Sequence, residues 1–119
     1  MTKPSTKFSI QGCAVEAPNG KSLALAHDIK DTVQIGNLLI VILHVPEGAT
    51  LTENVFAISE TGQILWQIER INETSFNPQD RYLGIVTHDQ DTVTIGNWNG
   101  MVVDVDLRNG RVKAKGLLK

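Results

Sequence analysis

Cysteine is almost absent from this chain. Cys13 stands alone among 119 residues, so no internal disulfide can form, which suits a reducing compartment. Long apolar runs are missing too. The longest unbroken one is Leu38 to Leu43, followed by His44 and Val45, far short of the ~20 residues a membrane helix needs. Met1 to Ile10 carries no apolar h-region of the kind a signal peptide has. Neither sign of charge dominates: 11 Lys and Arg stand against 13 Asp and Glu, a net charge of −2. That leaves no basic footprint for nucleic acid. The expectation is a cytoplasmic protein with no membrane and no nucleic-acid partner. The usual catalytic signatures are also missing. There is no Gly-x-Ser-x-Gly elbow, no glycine-rich phosphate loop and no Cys–His pair at a usable spacing. These absences lead to the expectation of a protein that is not an enzyme and needs no cofactor.

What is present is an ordinary globular composition, 41% hydrophobic and 20% charged. One domain spanning 1–119 is expected, of a size that buries roughly two thirds of its unfolded surface. No stretch holds a helical period. Short strand-like runs recur between turn dipeptides instead, about nine in all. Phe8 to Glu16 reads as a first strand, and Pro18-Asn19-Gly20-Lys21 as a turn. Thr32 to Val45 is rich in β-branched residues and is interrupted only at Gly36-Asn37. Its second half, Leu38 to Leu43, lacks polar alternation, as a strand covered on both faces does. A buried helical turn is the competing reading. Asn54 to Ser59 and Gln63 to Ile71 form a hairpin around Glu60-Thr61-Gly62. Period-two spacing puts Ile64, Trp66 and Ile68 on one face, with Trp66 in the core. Arg81 to His88, Thr92 to Asn97, Met101 to Leu107 and Arg111 to Leu117 complete the set. Asp104 and Asp106 are expected on the solvent face of their strand.

The chain repeats itself. Asp31-Thr32-Val33-Gln34-Ile35-Gly36-Asn37 and Asp91-Thr92-Val93-Thr94-Ile95-Gly96-Asn97 agree at six of seven positions. A His-Asp pair precedes each copy (His27-Asp28 and His88-Asp89). A hairpin pattern then recurs, at Val55-Phe56-Ala57-Ile58 with Gly62-Gln63-Ile64 and at Val103 to Asp106 with Gly110-Arg111-Val112. Repeat 1 spans about 22–71 and repeat 2 about 81–117, with Leu38 to Thr52 as an insertion in the first. Each unit has the strand content of one propeller blade. The expected fold is therefore all-β. Antiparallel sheets from two imperfect blade-like repeats would form a small sandwich, barrel or partial propeller. Two such units cannot close a ring, so free sheet edges are expected to seek a homo-oligomer or a protein partner.

The second half, from about Asn54 to Lys119, resembles a group of short bacterial proteins of unknown function. The residues carrying the likeness are Asn54-Val55-Phe56-Ala57, Gly62, Trp66-Gln67-Ile68-Glu69, Asn97-Trp98-Asn99-Gly100, and Asp104-Val105-Asp106 with Asn109-Gly110. The same hairpins are similar to repeats of quinoprotein-type and WD-type propellers, in which a Gly turn precedes a strand ending in Trp. Neither likeness implies a catalytic residue or a ligand.

Three sets of residues carry candidate chemistry. His27, Asp31, His88 and Asp91 are metal-capable and similarly spaced. Aspartates that open turns by bonding their own backbone, duplicated with the repeat, account for them better, so no metal is expected. Asp104 to Gly110 faintly suggests a calcium loop, but its sixth residue is Asn109 where such a loop needs Gly. Asn97, Trp98 and Asn99 could stack on a sugar or anchor an interface. The leading expectation for function is a non-enzymatic interaction or self-assembly module. A small-ligand or carbohydrate binder at Asn97–Asn99 is the alternative, and a metal-binding protein at the His-Asp turns the second.

Overall fold

The structure is a computed structural model, and it describes residues 7–46, 48, 53–69, 82–97 and 101–117. Eleven strands, and no helix, are present among them: β1 (Ser9–Gln11), β2 (Ala14–Glu16), β3 (Ser22–Ala24), β4 (Ile29–Ile35), β5 (Leu38–Leu43), β6 (Val55–Ile58), β7 (Ile64–Gln67), β8 (Tyr82–His88), β9 (Thr92–Asn97), β10 (Met101–Asp106) and β11 (Val112–Leu117). They form three antiparallel meanders, β1-β2-β3, β4-β5-β6-β7 and β8-β9-β10-β11. Within each sheet every strand pairs with its neighbour in sequence. No sheet closes into a barrel, and the arrangement is sandwich-like.

The segment Phe8 to Glu16 is two strands rather than one. Gly12 turns the chain at φ +61°, a conformation a residue with a Cβ would resist, and β1 folds back onto β2. The apolar run behaves as its lack of alternation predicts. Leu39, Val41 and Leu43 of β5 pack with Val15 and Ile58, beneath Phe8, Leu23 and Leu25 of the first sheet. Ile40 and Ile42 point the other way, into a cluster with Val93, Ile95, Val103 and Val105 of the third sheet. The sheet β4–β7 is thus the middle of three layers. Burying each such aliphatic side chain is worth about 1.5–3 kcal/mol, and β5 does so on both faces.

Polar residues lie on the outward faces of the two terminal layers, beside the exposed Val86 that packs next to Gly96 on the third. On the first sheet Ser9, Glu16 and Ser22 lie side by side in register. On the third, Thr94 Oγ1 donates to Asp104 Oδ1 at 2.6 Å, and Lys113 Nζ donates to Thr92 Oγ1. Such faces end a stack, as capping repeats do in solenoids.

Successive hairpins rest on one another. The Gly62 turn between β6 and β7 lies against Ala17 and Lys21 of the β2–β3 turn, and Gly110 between β10 and β11 lies against Trp66 of β7. Trp66 is buried in the core as expected, and its indole N–H donates to the Leu107 carbonyl at 2.8 Å. Ile64 does not share its face. A bulge shifts the β6–β7 register, so that Trp66 pairs with Ala57 but Ile64 with Ile58. One extra residue reverses the alternation, and Ile64 is left 45% exposed.

Candidate functional site

The two matching heptapeptides occupy different places. Asp31–Asn37 runs along β4, the edge strand of the middle sheet, and into the turn before β5. Asp91–Asn97 supplies β9, an interior strand of the third sheet. The segment read as an insertion, Leu38 to Thr52, holds β5, the most buried strand of the protein.

Their aspartates therefore do different work. The Asp31 carboxylate accepts hydrogen bonds from Thr32 N–H and, across to the third sheet, from Ile85 N–H, each at 2.9 Å. Asp91 sits in the turn between β8 and β9, where it accepts from Thr92 Oγ1. Asp89 opens that turn. Its Oδ1 accepts from the N–H groups of Asp91 and Thr92 at 3.0 and 2.9 Å, and the first of these chiefly holds its carboxyl below the ordinary value. His27 is half-buried ahead of β4, and His88 is exposed at the end of β8. Among the described residues, no three His, Cys, Asp or Glu side chains gather in a metal-holding group.

Asn97 ends β9, its backbone paired with Tyr82. Trp98 and Asn99 lie outside the described residues.

The Asp104–Gly110 segment is a tight turn. Asp106, expected on the solvent face, is instead buried. Its carboxylate accepts from Arg108 Nε at 3.2 Å and Nη2 at 3.0 Å, and from Arg108 N–H at 2.9 Å. Those bonds, the side-chain ones first, hold its pKa at about 2, below the ordinary 3.8. A carboxyl depressed on folding contributes stability that is complete above the unfolded value near 3.8 and is lost as pH falls through about 2. Asp106→Asn is thus expected to be less stable than wild type at neutral pH, with the difference shrinking to a small remainder by pH 2. Urea denaturation across that range measures it. A difference that does not change with pH would refute the assignment.

The role of one polar residue was not read from the sequence. Asn54 is fully buried. Its Nδ2 donates to the carbonyls of Leu43 and Tyr82 at 2.8 and 2.9 Å, and its Oδ1 accepts from Tyr82 N–H at 2.9 Å. With Asp31, it fastens β8 to the middle sheet. An Asn opening an apolar strand was visible in the sequence, but its partner was not.

The exposed large apolar side chains form a pattern. Ile10 lies on β1, Ile64 and Leu65 on β7, and Leu83 and Val86 on β8. All three are edge strands.

These features define an open, three-layered antiparallel β protein whose buried polar groups tie its sheets together. The family model of a domain of unknown function, DUF7957, matches residues 7–117, and the chain belongs to that family. No curated protein matches it.

Proposed function

We propose that this chain is a non-enzymatic interaction module that self-associates, or holds a protein partner, through its open sheet edges. One observation carries the reading: every exposed large apolar side chain among the described residues stands on an edge strand. A sheet edge offers unpaired N–H and C=O groups, and apolar side chains beside them favour strand addition.

The two four-stranded meanders are best read as blade-like units. Support comes from Trp66 of one, which lies on the turn glycine Gly110 of the next and bonds to Leu107. A reducing cytoplasm is the setting its single cysteine favours. Light scattering coupled to size exclusion, from micromolar to submillimolar protein, should show a mass that rises with concentration. A monomer mass throughout would overturn self-association.

A further inference from the structure

We infer that the outer edge of β11 receives an extended acidic segment of a protein partner, which joins the four-stranded third sheet as a further strand. This rests on the interaction reading above and names both the edge and the chemistry of the partner.

The outer edges of the three sheets are not equivalent. β1 and β3 have three residues each, too short for a ladder. β4 and β8 lie against each other, joined by the bond from Ile85 N–H to Asp31, and Asn54 takes the Tyr82 N–H and C=O. The end of β7 carries the turn between β10 and β11. Glu69 N–H donates there to the Gly110 carbonyl at 3.2 Å, and Gly110 lies against Trp66 and Gln67. β11 is different. It has six residues, and only its first is engaged on the outer side, where Val112 N–H donates to Glu69 Oε1 at 2.6 Å. Beyond Val112, among the described residues, its backbone bonds run to β10 alone.

The chemistry of the occupant follows from charge. Five of the chain's 11 Lys and Arg fall between Arg108 and Lys119, and no Asp or Glu follows Asp106. Arg108 is held by Asp106 at 3.0 Å. That leaves Arg111, Lys113, Lys115 and Lys119 as a basic stretch in a protein of net charge −2. Arg111 and Lys113 are exposed. Lys113 and Lys115 occupy alternate positions of β11, and an incoming strand with carboxylates at alternate positions matches that spacing. Lysines on an edge repel another basic strand, so the residues that keep β11 from pairing with its like select an acidic one. The Glu69 carboxylate on Val112 N–H is a contact of the same kind made within the chain. A nucleic acid suits this edge less well. A strand edge offers N–H and C=O groups in the pattern another strand needs, and Arg108 to Lys119 contains no aromatic side chain to stack on a base.

Fluorescence anisotropy on the full chain tests this with a labelled peptide of alternating Glu and Val. A peptide of alternating Glu and Pro keeps the charge and loses ladder donors, and labelled oligothymidylate stands for nucleic acid. The expected result is saturable binding of the Glu-Val peptide that weakens as salt is raised. Binding should be at least tenfold weaker for the Glu-Pro peptide, and for the Glu-Val peptide with the double variant Lys113→Glu, Lys115→Glu. Lys21→Glu with Lys30→Glu makes the same charge change at exposed positions away from β11 and should bind as wild type does. Thermal melts within about 2 °C of wild type confirm the fold of both variants. If the β11 variant does not fold, the two peptides compared on wild type still decide the matter. No saturable binding of the Glu-Val peptide, equal binding of the Glu-Pro peptide, equal losses in the two double variants, or tighter binding of oligothymidylate each overturns the inference. A protein that binds no peptide yet gains mass with concentration loses only the β11 assignment. One that does neither overturns the interaction reading as well.

Discussion

Replacing Gly110 with alanine is expected to cost about 4–5 kcal/mol of stability. Gly110 sits at φ +77°, where an L side chain is strained. A Cβ there would lie 2.5 Å from Trp66 Cε3 and 3.2 Å from the Gln67 carbonyl. The indole cannot yield easily, because it is buried and its N–H is bonded to Leu107. The substitution must either push Trp66 out of the core or open the hairpin. Gly20→Ala is the matched control. It has a similar backbone, φ +90°, but nothing lies within 4 Å of its Cβ. It should cost only the conformational strain, about 1 kcal/mol. Urea denaturation of both variants separates the two contributions. Equal losses would mean that the Trp66 contact contributes nothing.

Asn54→Leu is expected to be at least as damaging. Leucine keeps the volume and removes all three hydrogen bonds. The Leu43 and Tyr82 carbonyls and the Tyr82 N–H would each lose a bond they make to Asn54 in the core. At about 1–3 kcal/mol for each buried group, the loss is about 5 kcal/mol. Small domains are stable by only about 5–15 kcal/mol, so the variant should be partly unfolded at 37 °C. Near-ultraviolet circular dichroism and a thermal melt would show it. A loss below about 1 kcal/mol would mean that the Asn54 bonds contribute little to holding β8.

The local features of this fold were legible in the sequence, and the long-range ones were not. Leu38 to Leu43 announced its double burial by having no polar position to spare. Thr92 to Asn97 could be bounded to the residue, and the Asn-Gly and Thr-Gly turns marked three hairpins. The break at Gly12 was hidden because a single glycine reads equally as a bulge or a turn. The face of Ile64 was lost to a bulge, which period-two counting cannot see. The roles of Asn54 and Asp31 depend on backbone groups 28 and 54 residues away. Nothing in their local sequence encodes those distances. The heptapeptide match was the most persuasive signal in the chain, yet it fell on strands in different positions. Similar turn chemistry at the end of a strand does not fix the strand's place in a sheet.

The all-neighbour strand pairing has a kinetic consequence. Each ladder closes across the stretch of chain that directly joins its two strands, most of them short turns, so the sheets form from local contacts with little loop-closure entropy to overcome. The slow event is then the collapse of preformed ribbons onto one another. The middle ribbon cannot mature first, since β5 has an apolar surface on either side and needs both neighbours to cover it. Until the first ribbon has closed over Leu39, Val41 and Leu43, a chain that has assembled only its later two-thirds still presents a sticky flank. The three strands β1 to β3, the smallest of the sheets, therefore act as the lid whose arrival ends the aggregation-prone stage of folding.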